Sequence, residues 1–210
     1  MEILYEDSSV IVVIKPRGML SQPDKNGGES MMTKLQALTA GEIFPVHRLD
    51  KETGGVMVYA KTQKAAAALS RDISEHRFYK EYLALVHGVP EENSGTLCDL
   101  LFFDRAKNKS YVVKRERKGV KKAELCYEVL ETKEKDGEKY SLLRVVLHTG
   151  RTHQIRVQFA YRKMPLLGDR KYGAQDGCKN LGLRAQRLKF FHPETGEEME
   201  FTAKEKPFII

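Results

Sequence analysis

Residues 45–55 read Pro-Val-His-Arg-Leu-Asp-Lys-Glu-Thr-Gly-Gly and gather cations, carboxylates, a hydroxyl and two glycines into one loop, between a predicted helix and a predicted buried strand. Loops held by rigid elements are where catalytic residues concentrate. In this loop Asp50 could act as a nucleophile or general base if an arginine elsewhere lowered its pKa. The residues alone favour a plainer role, in which Asp50 caps the following turn or pairs with Arg48 or Lys51 at the surface.

The chain around this loop alternates between strand and helix patterns. Two short strands are predicted within residues 3–14, and helices are predicted after the capping residues Ser30 and Thr62. Further strands are predicted over 56–60, 79–86, 109–113, 123–131, 140–147, 185–191 and 198–202, and a further helix over 150–163. We find no internal repeat and no low-complexity linker. We therefore expect one α+β domain over residues 1–210, with its internal seam in the loop from Pro90 to Gly95.

Composition indicates a folded protein of a reducing compartment. The chain has 210 residues, of which 41% are hydrophobic and 31% charged, which is too apolar for a disordered chain. The N-terminal apolar run Val10 to Ile14 is far too short to span a membrane, and the acidic N-terminus does not resemble a secretory signal. Cys98, Cys126 and Cys178 are odd in number and form no CxxC pair, which argues against a disulfide framework or zinc finger. We expect a cytoplasmic protein.

The charge balance makes a polyanion a plausible partner. Lys and Arg outnumber Asp and Glu by 36 to 29, giving a net charge of +7. The densest basic run, residues 114–122, either follows an RNA backbone or forms a solvated hairpin tip. The six histidines show no HExxH or similar ligand spacing, so no catalytic metal is expected.

Four blocks of sequence then resemble one family in the same order. Residues 47–55 resemble the HRLDxxTSG signature of the RluA family of pseudouridine synthases, with Gly54 in place of Ser. Residues 12–18 resemble the family's KPxG loop, and residues 80–88 its KxYxAxVxG strand. Residues 150–157 resemble its GRxHQIR motif, followed by the Leu167-Gly168-Asp169 and Tyr172-Gly173 block. The resemblance therefore spans nearly the whole chain.

This resemblance implies a fold and an activity. The fold would be a bent, mainly antiparallel mixed β-sheet flanked by helices and loops. The activity would be isomerisation of uridine in RNA, with Asp50 as the essential carboxylate and no cofactor. Asp50 would either attack C1′ or remove a proton from C2′, and the sequence does not distinguish these routes. A positioned carboxylate in a closed, dry pocket suits a reaction in which water must not capture the sugar.

The resemblance also assigns roles on the later motifs. It implies that Tyr82 stacks on the uracil, where its hydroxyl could assist proton removal from C5. It implies that Arg156 pairs with Asp50 and holds it ionised, while Ile155 packs against the base. Without the resemblance, Tyr82 would be an ordinary strand tyrosine and Arg156 an ordinary arginine on a helix surface.

Two further roles fall on the first motif. A uridine in folded RNA must leave its stack before Asp50 can reach it, and the resemblance implies that Arg48 enters the vacated position. A phosphate contact or an ion pair with Glu52 is the alternative for Arg48. His47 and Thr53 complete the expected substrate-binding set, although His47, like His153, is also expected to brace its loop by hydrogen bonds.

Departures from the family pattern bear on the substrate. Arg184 stands where the family commonly has His in an LHA segment, and Lys163-Met164-Pro165 stands where a Gly-His-Pro is frequent. No segment precedes the first motif that is long enough for an S4-type RNA-binding domain. We therefore expect recognition of a short rRNA or tRNA stem-loop by a monomer without an obligatory protein partner or a membrane. The competing functions are noncatalytic RNA binding, which a missing Asp50 would have supported, and glycosidic hydrolysis, which needs a second carboxylate that we cannot identify.

Overall fold

The computed structural model describes residues 1–24 and 27–204. In chain order the described elements are β1 (Glu2–Glu6), β2 (Val10–Lys15), α1 (Met31–Thr39), β3 (Phe44–Pro45), β4 (Gly54–Ala60), α2 (Gln63–Ser74), β5 (Tyr79–His87), β6 (Ser94–Asp104), β7 (Lys109–Val113), β8 (Val120–Lys135), β9 (Glu138–Leu147), α3 (Gln154–Tyr161), β10 (Leu183–Phe191) and β11 (Glu198–Thr202). A single turn of 3-10 helix, Arg170–Tyr172, follows α3. The predicted α+β class is confirmed.

The described residues divide into two compact units. The first contains residues 1–80 and 185–204 as far as they are described, and the second contains Glu81–Arg184. The unit boundaries therefore fall within β5 and β10. The predicted seam at Pro90 to Gly95 is wrong, because β6 begins at Ser94 inside that segment and pairs with β8 from its first residue.

The first unit places its strands in the order β1, β2, β4, β10, with β3 beside β4 and β11 beside β10. β1 with β2, β2 with β4, β3 with β4, and β10 with β11 all pair antiparallel. Every residue of β4 is buried, as its continuous apolar sequence predicts. The hydrophobic core of this unit contains side chains of β2, β4, α2 and β10, among them Val12, Val58, Leu69 and Phe190.

The second unit is an antiparallel sheet in the order β5, β9, β8, β6, β7, with α3 in contact with β6 and β7. Leu101, Ala123 and Val157 form a core cluster between the sheet and α3. The strand β6 was not predicted. Gly95 of this strand packs against the ring of Tyr127, so closely that a Cβ at position 95 would stand 3.0 Å from the ring. This packing compensates for the weakening effect of a glycine within a strand.

Helix starts agree with the predicted caps in two cases and differ in the third. Ser30 accepts from the backbone N–H of Thr33, and Thr62 accepts from that of Ala65, as capping residues do. The third helix was predicted from Gly150 but begins at Gln154, because His153 has a left-handed backbone with φ of 55° and cannot continue a helix.

Candidate active site

Asp50 lies in a turn directly before the buried strand β4. Its carbonyl oxygen accepts a hydrogen bond from the N–H of Thr53 at 3.0 Å, which closes the turn. Leu49 is buried, Lys51 is exposed, and Asp50 itself is partly exposed. The Asp50 side chain is therefore partly accessible to solvent and stands between a buried residue and an exposed one.

The loop after β2 holds the main chain on both sides of Asp50. The hydroxyl of Ser21 donates to the carbonyl of Leu49 at 2.9 Å and accepts from the N–H of Leu49 at 3.0 Å. On the other side, the N–H of Gly18 donates to the carbonyl of Lys51 at 2.9 Å. The KPxG block and the HRLD block are thus joined through backbone groups, which keeps buried polar atoms satisfied.

Lys15 is fully buried beneath this turn. Its ammonium group donates to three carbonyl oxygens, those of Pro16 at 2.9 Å, Met19 at 2.7 Å and Lys51 at 3.2 Å. Burial lowers the pKa of Lys15 to about 8, although the negative charges of Asp50 and Glu52 oppose that shift. Lys15 therefore places a buried positive charge that interacts with the Asp50 carboxylate.

His47 braces the loop against β4. The backbone N–H of Val58 donates to Nε2 of His47 at 3.1 Å, so Nε2 carries no proton and the ring is neutral. Burial, with a smaller contribution from the positive charge of Lys80, lowers the pKa of His47 to about 3. The ring also packs edge-on to Phe78, with centroids 5.4 Å apart. The expected brace is present, whereas substrate binding by His47 stays a prediction.

The two remaining predicted residues of this loop differ in exposure. Arg48 is exposed and makes no ion pair with any part of the chain that the structure describes, so the alternative pairing with Glu52 is not formed. Thr53 is 2% exposed, and its hydroxyl has no hydrogen-bond partner among residues 1–24 and 27–204. An exposed guanidinium suits contact with a large substrate, while the Thr53 role stays a prediction.

In the second unit, Arg156 is held on α3 as one half of a buried ion pair. Its Nε and Nη2 donate to the two carboxylate oxygens of Asp169 at 2.7 and 2.8 Å, and only 8% of the arginine side chain is exposed. The interpretation of Arg156 as a helix-surface arginine is therefore wrong. A bidentate pair of this kind fixes the plane of the guanidinium as well as its position.

Tyr172 covers one face of the same guanidinium, whose central carbon lies 5.2 Å from the ring centroid. Its hydroxyl accepts from the N–H of Ser110 at 2.8 Å and lies 3.0 Å from Nδ1 of His153. Burial raises the pKa of Tyr172 to about 12, so the hydroxyl is neutral and can donate to His153. The expected bracing by His153 is thus formed through Tyr172.

Tyr82 and Ile155 are both buried in the second unit, at 7% and 3% exposure. Tyr82 lies in β5 opposite Val145 of β9. Ile155 and Arg156 are adjacent on α3, whereas Asp50, Arg48, His47 and Thr53 all belong to the first unit. The structure therefore gathers the predicted residues into two groups, one on each unit.

Sequence reasoning assigned no role to four residues that build these groups: Lys15, Ser21, Asp169 and Tyr172. Three of them lie inside blocks quoted for the family resemblance. Two signals in the sequence could have suggested buried partners. One is a lysine directly before a proline, and the other is a carboxylate thirteen residues after a motif arginine. Ser21 carries no such signal, because its partner is a main chain 28 residues away.

The basic run begins in the connection from β7 to β8 and ends in the first residues of β8. Lys114 to Lys118 are all exposed, and the guanidinium of Arg117 lies 4.8 Å from the ring centroid of Phe102. The predicted hairpin tip is wrong, because β6 lies between β7 and β8 and pairs with both, whereas contact of the exposed residues with an RNA backbone stays a prediction. Within the described ranges, no group of three or more His, Cys, Asp or Glu side chains could hold a metal ion, and no helix has the length and apolarity of a membrane span.

Comparison with known proteins gives the same family for most of the chain. The family model described as RNA pseudouridylate synthase matches residues 9–161. The chain is 36% identical over 226 residues to the ribosomal large subunit pseudouridine synthase D of Vibrio cholerae, covering 97% of this chain and 67% of that protein. It is 32% identical over 222 residues to the tRNA pseudouridine synthase C of Haemophilus ducreyi, covering 97% and 90% respectively.

A solved structure agrees with the fold. The human RNA pseudouridylate synthase domain containing 1 superposes with a TM-score of 0.81 at 25% identity, covering 99% of this chain and 84% of that one. The chain spans about two thirds of the length of several curated relatives that it matches.

Proposed function

The chain belongs to the RNA pseudouridylate synthase family, which makes it an isomerase acting on RNA, and from that premise we propose that it converts specific uridines of rRNA or tRNA to pseudouridine with Asp50 as the essential carboxylate. The observation that carries the proposal is the anchoring of Asp50. Its two neighbours in the chain are hydrogen-bonded to one loop, and buried Lys15 adds a positive charge. Such preorganisation suits a carboxylate that must act at one atom.

The reaction is an isomerisation, in which the uridine keeps all of its heavy atoms and its total number of hydrogens. The bond between N1 of uracil and C1′ breaks, the base rotates, and a bond forms between C5 and C1′. The proton on C5 is then lost to solvent, and N1 gains one. Asp50 begins the sequence by attack at C1′ or by removal of a proton from C2′, and both routes need its ionised form.

We assign supporting roles to residues of both units. Flipping the uridine out of its stack costs roughly a few kcal/mol. Arg48 is exposed and makes no ion pair among the described residues, and it fills the position that the uridine leaves. Tyr82 stacks on the uracil and Ile155 packs beside it. Arg156, oriented by Asp169, pairs with the Asp50 carboxylate.

The names of two relatives support the substrate class that we propose. One is named for tRNA and another for the large ribosomal subunit, so we propose a short stem-loop of either RNA as the target. We further propose that the chain acts as a single catalytic domain and a monomer in the cytoplasm, without a cofactor, a metal or an obligatory partner. Its free cysteines suit a reducing compartment. Light scattering of the purified protein tests the monomer, for which a mass of 24.0 kDa is expected.

Release of tritium tests the reaction directly. Total cellular RNA labelled with tritium at carbon 5 of uridine should lose label to water with the wild-type protein and keep it with Asp50→Ala. The matched control is Glu52→Gln, which removes an exposed carboxylate two residues away and should retain activity. Equal release by wild type and Asp50→Ala would refute the assignment, and accumulation of free uracil would indicate hydrolysis instead. Fractionated rRNA and tRNA then identify the substrate.

A further inference from the structure

Ser21 makes two hydrogen bonds to the residue immediately before Asp50. It is 4% exposed, its hydroxyl donates to the carbonyl of Leu49, and it accepts from the N–H of the same residue. The thioether sulfur of Met57 competes poorly for this hydroxyl, because it is a weak acceptor and lies 3.5 Å away, whereas the Leu49 oxygen lies at 2.9 Å. One hydroxyl therefore takes both main-chain polar groups of Leu49.

Ser21 is itself held by a second buried hydroxyl. Tyr59, in the middle of β4, is fully buried and donates from its hydroxyl to the carbonyl oxygen of Ser21 at 2.8 Å. The rigid strand β4 thus fixes Ser21, and Ser21 fixes Leu49. A chain of three buried contacts connects the core of the first unit to the main chain at Asp50.

We infer that Ser21 is a positioning residue for Asp50. With Gly18 bound to the carbonyl of Lys51, it fixes the backbone on both flanks of Asp50 and so sets where the carboxylate stands. A shift of about 1 Å in a reacting group can lower a rate about 100-fold. The inference rests on the proposed role of Asp50, and it assigns Ser21 no contact with the RNA.

A second buried serine of the same unit provides the control. Ser9 is fully buried and Ser21 nearly so, but the hydroxyl of Ser9 has no hydrogen-bond partner within the described residues. Ser9→Ala therefore removes a buried hydroxyl without removing a hydrogen bond. Any general effect of a buried serine-to-alanine change should be the same in both variants.

The experiment compares Ser21→Ala, Ser21→Thr and Ser9→Ala in single-turnover tritium release from total cellular RNA labelled at carbon 5 of uridine. Ser21→Ala should lower the rate at least about tenfold while its Kd for that RNA stays within about twofold of wild type. Ser21→Thr, which keeps the hydroxyl, should recover most of the rate, and Ser9→Ala should match wild type. Exchange of the Leu49 amide hydrogen should be faster in Ser21→Ala alone.

A folded Ser21→Ala protein with the wild-type rate overturns the inference, as does a loss of rate that only follows the folded fraction seen by circular dichroism. If Ser21→Ala does not fold, Tyr59→Phe replaces it. That variant should lower the rate at least about threefold at unchanged Kd, and a wild-type rate overturns the inference. Asp50→Ala, run beside these, separates the two proposals: label release equal to wild type in that variant refutes the function itself.

Discussion

Neutralising Asp169 should destabilise the protein strongly, because it leaves a buried guanidinium without its bidentate partner. The Asp169 side chain is fully buried and that of Arg156 is 8% exposed, with contacts of 2.7 and 2.8 Å. Removal of one member of a buried ion pair costs about 3–5 kcal/mol of the free energy of unfolding. In a protein of this length that loss lowers the melting temperature by roughly 6–20 °C.

The assay is urea unfolding of Asp169→Asn followed by circular dichroism, with Glu128→Gln as the matched control. Glu128 pairs with Arg144 at 2.7 Å, but their side chains are 52% and 42% exposed, so its loss should cost at most about 1 kcal/mol. An Asp169→Asn protein whose free energy of unfolding lies within about 1 kcal/mol of wild type would refute the reasoning.

A double variant separates stability from catalysis at the same pair. Arg156→Met with Asp169→Leu replaces both charges by apolar side chains of similar size, and such replacements of buried pairs are often neutral or stabilising. We expect the double variant to regain most of the stability lost in Asp169→Asn but to release no tritium from labelled RNA. Activity in the stable double variant would show that Arg156 has no part in the reaction.

Three further predictions concern the first unit. The pKa of His47 is about 3 in the folded protein and near 6.5 in the unfolded chain, so the unfolded state binds a proton first as the pH falls. The free energy of unfolding should therefore fall by about 2 kcal/mol from pH 7 to pH 5. Urea unfolding of His47→Gln should lack this pH dependence. Gly55→Ala should prevent folding, since a Cβ there would stand 2.0 Å from the carbonyl oxygen of Ala185. The control is Gly173→Ala, where φ is also positive but a Cβ would have no atom within 4 Å. That change should lower the free energy of unfolding, measured in urea, by only about 1–3 kcal/mol. Arg48→Lys should reduce tritium release from folded stem-loops about tenfold or more, yet have little effect on an unstructured uridine oligonucleotide, and equal losses on both would contradict the flipping role.

Features set by local chemistry were predictable from the sequence. Ser30 and Thr62 cap their helices because a hydroxyl one residue before a helix can reach the free N–H groups of its first turn. The buried strand β4 followed from an unbroken apolar run. In each case the partners lie within a few residues of each other, so the pattern is complete in a short window.

Features set by packing between residues far apart in the chain were not predictable from the sequence. The strand β6 was missed because Gly95 is stabilised by Tyr127, 32 residues later and on another strand. The late start of α3 depends on His153, whose left-handed backbone accompanies a contact with Tyr172. Asp169 likewise acquires its role only where the fold brings it to Arg156. Family resemblance supplied the arginine but not the residue that orients it.

The composition of the first unit constrains the order in which the protein can be completed. Its core includes Leu188 and Phe190 of β10, which lies beside β4, so residues 1–80 lack part of their hydrophobic interior until β10 is made. The intervening second unit is one continuous span of residues 81–184. At about 5–20 residues per second, a ribosome needs roughly 5–20 s to synthesise that span. The strand β4, which directly follows Asp50, therefore emerges early and lacks its neighbour in the sheet until β10 has been translated.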